Sequence, residues 1–144
     1  LNGCQFTFGM IHNVQYTGVR IADLIKETGL KPTAQWMLAE GSDSAGLTRS
    51  IPIEKALDDC IIAWAMNGEA MRPEQGYPAR LVVPGWEGNM WIKWIRRIEF
   101  GDKPYMTREE TSKYTDLLKT GKARMFTWVM EAKSVITNPS PEKA

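Results

Sequence analysis

The sequence predicts a single α+β domain in which short strands outnumber short helices. Its 144 residues are enough for one hydrophobic core, and 43% of them are hydrophobic, as in ordinary globular proteins. Short apolar runs are separated by turns rich in glycine, proline and asparagine. Because these runs do not alternate regularly with helical segments, a doubly wound parallel sheet is not expected.

The N-terminal segment predicts a strand, a turn and one amphipathic helix. Residues 5–8 alternate weakly, as in a strand, and residues 16–18 have the composition of a turn. From Val19 the spacing becomes helical, because apolar side chains recur on one face and charged side chains on the other. Gly29 follows this pattern at the position where a helix C-cap is expected.

The next segment predicts a strand, a polar loop and a short helix. Residues 35–39 resemble a short buried strand. Residues 41–46 are too polar and flexible for the interior of an element, so we expect a loop that presents Asp43. A short helix over residues 53–57 is expected after Pro52.

Three apolar segments in the middle of the chain predict strands. Residues 60–64 have the length and apolar content of a central strand, and Asn67 with Gly68 forms a strong turn signal after it. Residues 80–83 predict a strand that a Pro-Gly pair stops, and residues 91–100 predict the strand after the next loop.

The C-terminal segment predicts one helical turn and two strands. Residues 107–114 begin with Thr107 as a helix cap and carry Glu110 at the capping-box position. Residues 124–129 and 133–136 alternate as strands do, and the proline-containing residues 138–144 are typical of a linker.

The composition argues against several classes of function. A formal net charge of +1 gives no general electrostatic reason to expect a nucleic-acid or anionic-membrane partner. The longest uncharged apolar stretch, residues 60–66, is far below the roughly 20 residues that span a bilayer. Cys4 and Cys60 have no CxxC partner, which argues against zinc, covalent haem and a disulfide framework. Nucleotide-binding glycine motifs are absent, and His12 has no elbow-type serine beside it.

Residues 75–94 contain the strongest candidates for a ligand-binding site. Arg80 begins a strand and Lys93 lies in the strand after the next loop, with several glycines between them. A guanidinium, an ammonium and free backbone amides suit a phosphate, and the tryptophans of the segment supply a flat apolar wall for a ring system. The alternative from these residues alone is that both cations lie at strand ends and face solvent.

The same segment resembles the sulfite oxidase family of molybdopterin domains. The resemblance rests on Gln75 to Gly88, read as QGYPARLVVPGWEG, followed by IKW at residues 92–94. Earlier motifs occur in the same order: YTGVRIADLI at 16–25, SIPIEKA at 50–56 and AMNGE at 65–69. The later segments 101–116 and 126–137 are most similar to one branch, the molybdenum subunit of the bacterial Sox-type sulfite (sulfane) dehydrogenase. The resemblance implies an α+β fold with a mixed β-sheet, whose N-terminal part is missing from this chain.

The resemblance also implies which residues hold a Mo-molybdopterin cofactor. Asp43 would contact the pterin, and Arg80 with Lys93 would hold its phosphate end. Trp91 and Ile92 would line the same pocket.

Two further positions of the family motif concern Gln75 and Tyr114. Gln75 stands where animal sulfite oxidases carry a histidine, so the position keeps hydrogen-bonding capacity but loses the ability to carry a charge. Tyr114 aligns with the active-site tyrosine of the family and is the candidate catalytic residue. The alternative for Tyr114 is a buried tyrosine whose hydroxyl has a structural partner.

The cysteine that holds molybdenum in the family has no counterpart here. That cysteine precedes a Gly-Asn pair, well upstream of the segment that matches residues 9–11. Cys4 is too close to Gly9 and is followed by other residues, so we expect it to be an unrelated strand residue. Cys60 is expected to be a core thiol, and His12 a surface or structural residue near the pocket. No metal ligand is therefore assigned within this chain.

The function that the resemblance implies is oxygen-atom transfer at molybdenum with sulfite or sulfane sulfur as substrate. Electrons would pass to a separate c-type cytochrome subunit, and the protein would work in the periplasm. Residues 1–137 would form the C-terminal part of the molybdopterin domain, and residues 138–144 a linker towards a dimerisation domain. Two alternatives stay open: a nitrate or methionine-sulfoxide reductase of the same family, and a non-catalytic fragment that binds pterin weakly or not at all.

Overall fold

A computed structural model describes residues 13–132 and residue 134. Its helices are α1 (Ile21–Thr28), α2 (Ile53–Asp58) and α3 (Arg108–Lys113). Its strands are β1 (Tyr16–Arg20), β2 (Trp36–Gly41), β3 (Thr48–Pro52), β4 (Ile61–Met66), β5 (Glu69–Ala70), β6 (Arg80–Val82), β7 (Ile95–Gly101), β8 (Thr115–Leu117) and β9 (Ala123–Met125). Short 3₁₀ turns occupy Pro73–Gln75 and Gly88–Met90. None of the helices in the described part of the chain has the length and apolar character needed to cross a membrane.

The first sheet is built around β4. β1 pairs with one edge of β4, while β5 and β6 pair with the other, and all three pairings are antiparallel. The β4–β5 hairpin turns at Asn67 and Gly68, both of which have positive φ. This is the turn that Asn-Gly predicts, since type I′ turns need positive φ at both central residues.

The second sheet has the order β3-β2-β7 and is also antiparallel. β2 is its central strand and is buried from Met37 to Gly41, which explains its apolar sequence. β2 ends in the loop that contains Asp43, and β7 starts just after Trp94, so this sheet presents both residues at one end.

The core gathers side chains from both sheets and from α1 and α2. Its buried members are Ile21, Met37, Ala39, Ile51, Ala56, Cys60, Leu81, Val83, Met90 and Ile92. Burying each large apolar side chain contributes about 1.5–3 kcal/mol relative to leaving it in water. The core therefore fixes the two sheets against each other. It also anchors the loop 83–94, because Val83, Met90 and Ile92 are buried in it.

A small C-terminal unit consists of α3 and the β8–β9 hairpin. Thr107 and Glu110 form the expected capping box at the start of α3. Glu110 is only 1% exposed, and its carboxylate also accepts hydrogen bonds from the backbone N–H and the hydroxyl of Ser50 on β3. This buried contact ties α3 to the second sheet.

The predicted α+β class is confirmed, as are the helices at α1 and α2, the strands at β2, β4 and β6, and the capped turn at α3. The turn predicted at 16–18 is wrong: these residues start β1, because pairing with β4 overrides their turn-like composition. Gly18 is required there, since a Cβ would stand 2.3 Å from the carbonyl oxygen of Ile62.

Other differences have similar causes. The strand predicted at 91–100 begins only at Ile95, because Gly88–Met90 forms a 3₁₀ turn and Trp94 has φ 50°. The strand predicted at 124–129 is limited to Ala123–Met125 with one isolated bridge at Val129. β3 was not predicted, because its buried middle consists of Arg49, Ser50 and Ile51 and lacks an apolar alternation. The strand predicted at 5–8 and the linker at 138–144 lie outside the described residues, as does the strand at 133–136 apart from Ser134.

Candidate functional site

Two clefts that share Asp43 and Trp94 open at the end of the second sheet. The first has a volume of about 400 Å³ and the second about 350 Å³. Tyr77 and Pro78 complete the wall of the first, while Asn89, Trp91 and Lys93 line the second. Their linings are largely apolar with a few polar groups, as in sites for small molecules that contain rings.

Asp43 organises the loop between β2 and β3. Its carboxylate accepts hydrogen bonds from the backbone N–H groups of Ala45 at 2.9 Å and Leu47 at 3.2 Å. This is the local bonding that favours aspartate in turns. A Cβ on Gly41 would lie 3.0 Å from the Asp43 carboxylate and 2.8 Å from the carbonyl oxygen of Lys93. Gly41 therefore allows the Asp43 loop and the Lys93 segment to approach each other.

Arg80 is a largely buried cation at the start of β6. Its guanidinium donates to the carbonyl oxygens of Gln75 at 2.9 Å and Trp91 at 3.2 Å, and it lies 5.8 Å from the ring centres of Tyr16 and Trp91. Its Nε has no hydrogen-bond partner although it is buried. Among the described residues, no carboxylate is within ion-pair distance of it. Burial lowers the pKa of the Arg80 guanidinium.

Lys93 is the second cation of this region. Its ammonium donates to the carbonyl oxygen of Glu74 at 2.5 Å and lies 5.3 Å from the ring centre of Trp94. Burial, and then the charge of Arg80, lowers the pKa of Lys93. A Cβ on Gly76 would lie 3.0 Å from the Cβ of Arg80 and 3.2 Å from that of Lys93, so the two side chains flank Gly76.

Gln75 helps to hold the Pro73–Gln75 turn and the Arg80 guanidinium in place. Its side-chain oxygen accepts the backbone N–H of Arg72 at 2.9 Å, which caps the Pro73–Gln75 turn, and its carbonyl oxygen accepts from Arg80. Its side chain borders a separate depression with Arg72 and does not line the two clefts. The predicted contact between Gln75 and a cofactor stays a prediction.

Trp91 and Ile92 occupy different environments although they are neighbours. Trp91 lines the second cleft, and its indole N–H donates to the carbonyl oxygen of Trp86 at 3.1 Å. Ile92 is 1% exposed and packs in the core, with its Cγ2 against Gly41. The structure thus places Trp91 at the cleft, whereas the Ile92 side chain does not reach it, and both backbone groups of Ile92 are hydrogen-bonded within the protein, to Met90 and Leu81.

Tyr114 lies at the C-terminal end of α3, away from the walls of the two clefts. The guanidinium of Arg49 lies over its ring, 4.7 Å from the ring centre. Arg49 also donates to the Asn89 side-chain oxygen at 3.3 Å. Because Asn89 lines the second cleft, Arg49 links Tyr114 to the cleft wall.

The described residues contain no group of three or more His, Cys, Asp or Glu side chains placed to hold a metal. Cys60 is a free thiol that is 1% exposed, as expected of a core residue. Its burial, with the nearby Asp59 carboxylate, raises the pKa of the thiol to about 12. A thiol so hard to ionise does not fit the role of a metal ligand, which must be a thiolate. Cys4 and His12 lie outside the described residues.

Most residues that line the clefts were not among the predicted site residues, and two of these have side-chain hydrogen bonds that fix the cleft wall. Trp94 lines both clefts, and its indole N–H donates to the carbonyl oxygen of Pro73 at 2.7 Å. Asn89 lines the second cleft and bonds both Arg49 and Glu87. The position of Trp94 directly after Lys93 could have suggested it, but nothing local in the sequence distinguishes Asn89.

The arrangement fits a ligand that combines a flat ring system with a phosphate. A largely buried guanidinium with an unpartnered Nε and a neighbouring ammonium can bind phosphate oxygens. Gly41 and Gly76 let the Asp43 loop, Arg80 and Lys93 pack closely, which brings these side chains together. Trp91 and Trp94 offer the flat surfaces against which a ring packs.

The comparisons with known proteins point to one family. The sequence model described as oxidoreductase molybdopterin binding domain matches residues 1–109. Mitochondrial sulfite oxidase from Drosophila melanogaster is 35% identical over 111 residues, which cover 72% of this chain and 19% of that protein. The NADH nitrate reductase of Ulva prolifera is 31% identical over 109 residues, covering 66% of this chain and 12% of the relative.

A solved structure is more similar still. The sulfane dehydrogenase SoxCD from Paracoccus pantotrophus matches with 60% sequence identity and a TM-score of 0.90. The match covers 99% of this chain and 36% of that one. This chain therefore spans only a minor part of the length of the relatives it matches.

Proposed function

We propose, because this chain belongs to the oxidoreductase molybdopterin-binding domain family, that it forms the cradle for the pterin and phosphate of a molybdenum cofactor. The complete protein would oxidise an inorganic sulfur compound, either sulfite or sulfane sulfur.

The observation that carries the proposal is that the Arg80 guanidinium lacks an anionic partner. A largely buried guanidinium without a carboxylate partner among the described residues is costly, and its buried Nε has no hydrogen-bond acceptor there. An anionic ligand that accepts from Nε would remove both costs. Lys93 lies across Gly76 from Arg80 and would contribute a second charge to the same anion.

The remaining cleft residues would orient the ring system. Trp91 and Trp94 supply apolar walls, and Asp43 supplies a carboxylate at the junction of the two clefts. When bound, a molybdenum cofactor supplies oxygen-atom transfer and takes up two electrons. The part of this chain is to bind that cofactor, orient it and exclude water from it.

The likeness to the sulfane dehydrogenase SoxCD supports a sulfur substrate, since the identity of 60% extends over nearly the whole chain. The same likeness is consistent with a cytochrome electron acceptor. The c-type class of that cytochrome and a periplasmic location are proposed from the family resemblance alone. Tyr114 would contact the substrate, as the family resemblance implies, with the buried Arg49 beside it.

A direct test uses the full-length protein purified from its own host. We expect about one molybdenum and one pterin per chain, together with reduction of cytochrome c by sulfite or thiosulfate. A protein that contains neither molybdenum nor pterin would contradict the proposal.

The nitrate reductases among the relatives define the competing activity, since they are 31–35% identical to this chain. The loaded protein should therefore also be assayed for nitrate reduction, with nitrate as the electron acceptor and a chemical electron donor. If the loaded protein reduced nitrate and did not oxidise sulfur compounds, the cofactor assignment would stand and the substrate assignment would be wrong.

A further inference from the structure

Among the described residues, Arg49 is the largest side chain that the fold buries completely. It lies on β3, is 1% exposed, and has no counterpart among the motifs by which the chain resembles its family. Neither the cofactor cradle of Arg80 and Lys93 nor the core requires a cation at this position.

The contacts of Arg49 are those of a guanidinium held in one orientation. Its Nη1 donates to the carbonyl oxygen of Thr48 at 2.7 Å, and its Nε donates to Asn89 at 3.3 Å. Its flat face lies over the Tyr114 ring. In the described part of the chain, no carboxylate forms an ion pair with it, and Glu109, whose pKa it helps to lower, is paired with Arg108.

A second buried contact anchors the helix that precedes Tyr114. Glu110 joins α3 to Ser50, the residue after Arg49 on β3. The helix that ends just before Tyr114 is therefore docked on the same strand that carries Arg49. Asn89, the other partner of Arg49, belongs to the Gly88–Met90 turn and lines the second cleft.

We propose that Arg49 is a positioning residue that holds Tyr114 in a fixed relation to the cofactor cleft. It does so by stacking on the tyrosine ring and bonding Asn89 in the cleft wall at the same time. Its charge also makes the surroundings of Tyr114 favourable for an anionic sulfur substrate. This inference rests on the proposed function, because it gives Tyr114 a role in turnover.

We expect loss of the Arg49 side chain to lower the rate of turnover more than it lowers cofactor binding. Arg49 contacts neither Arg80 nor Lys93 in its hydrogen bonds. Loss of the stacking would leave Tyr114 free to adopt other orientations at the end of α3. A desolvated cation–π contact contributes about 2 kcal/mol, which corresponds to a roughly 30-fold effect on a rate that depends on it.

The test is a double-mutant cycle in the full-length, cofactor-loaded enzyme. Arg49→Met and Arg49→Lys are each made alone and together with Tyr114→Phe, and kcat and KM are measured with sulfite and cytochrome c. Arg20→Met is the matched control, because Arg20 is an exposed arginine paired only with Asp23 on the surface.

We expect Arg49→Met to lower kcat about 10- to 30-fold, with molybdenum content unchanged. Arg49→Lys keeps the charge but loses the flat stacking surface, so it should recover part of the loss. In the Tyr114→Phe background the same substitutions should change kcat by no more than about twofold, because the hydroxyl that Arg49 positions is gone.

Three results would overturn the inference. Equal effects of Arg49→Met in both backgrounds would show that Arg49 acts independently of the Tyr114 hydroxyl. Loss of molybdenum from Arg49→Met, with Arg49→Lys behaving as wild type, would assign Arg49 to cofactor retention instead. If the wild-type protein has no activity with sulfur compounds, the proposed function fails and the inference fails with it. If the wild type is active but the effects of the Arg49 and Tyr114 substitutions add independently, only the inference fails.

Discussion

Arg80 and Lys93 bring two positive charges to either side of one glycine, with carbonyl oxygens as their main partners. Each lowers the stability of the other's charged form, and the charge of Arg80 is indeed one cause of the lowered pKa of Lys93. An arrangement of this kind is stabilised when an anion binds. The sequence shows the two cations and the intervening glycines, but the missing carboxylate becomes visible only in three dimensions.

Cys60 provides a pH-dependent test of the core at the residue scale. Burial raises the pKa of its thiol from 9.0 to about 12, so the folded protein holds this proton more tightly than the unfolded chain. The resulting stability is fully present below pH 9 and is lost as the pH rises from 9 towards 12. Wild type should therefore lose about 1.4 kcal/mol of unfolding free energy per pH unit more than Cys60→Ala in this window.

Urea unfolding of full-length protein at several pH values above 8 measures this difference. The comparison with Cys60→Ala removes the contributions of lysines and tyrosines that titrate in the same range. Parallel pH profiles for the two proteins would show that the thiol is not held in a desolvated environment.

The element that depends most on a single polar contact is α3. Glu110 caps the helix through the Thr107 N–H and anchors it through Ser50, so one carboxylate fixes both the start of α3 and its place on β3. The capping box could be predicted from the spacing of Thr107 and Glu110. The contact with Ser50 could not, because sixty residues separate the partners.

Glu110→Gln should therefore destabilise the protein. The amide puts an NH₂ group next to donors, and at least one buried group loses its partner, at a cost of about 1–3 kcal/mol. Urea unfolding at neutral pH measures the change. Glu109→Gln is the control and should cost less than about 1 kcal/mol, because the ion-pair partner of Glu109 is the largely exposed Arg108, and the glutamine can still accept a hydrogen bond from it. Equal effects of the two substitutions would contradict the anchoring role of Glu110.

Local signals explain which elements the sequence could predict. α1 has its apolar face and Gly29 at its end, and the β4–β5 hairpin has Asn67 with Gly68; both signals act within a few residues. β1 and β3 could not be predicted in the same way. β1 owes its conformation to its partner β4, and β3 buries Arg49 and Ser50 through contacts with distant parts of the chain.

At the scale of the whole molecule, the candidate site is built from three segments that are far apart in the chain. The Asp43 loop follows the second sheet's central strand, the Gln75–Arg80 turn leads into the first sheet, and residues 91–94 lead back into the second. The site therefore lies where the two sheets meet. Motif resemblance could suggest all three segments, while composition and periodicity alone could only suggest an anion site between Arg80 and Lys93.

This placement also explains why some of the predicted site residues line the clefts and others do not. Asp43, Trp91 and Lys93 line the clefts, and Arg80 lies behind Trp91 with its guanidinium against the backbone. Ile92 faces the core and is 1% exposed, so its side chain does not reach either cleft.

The cofactor content of an Arg80 variant tests the central claim most directly. Full-length wild type, Arg80→Met and the surface control Arg20→Met are purified side by side, and molybdenum and pterin are measured per chain. Because a bidentate or charge-assisted contact to phosphate contributes about 1.5–3 kcal/mol, Arg80→Met should bind the cofactor at least about tenfold more weakly and be isolated largely empty, while Arg20→Met is loaded like wild type. Equal molybdenum and pterin in a folded Arg80→Met protein would contradict the claim that this buried guanidinium holds the phosphate of the cofactor.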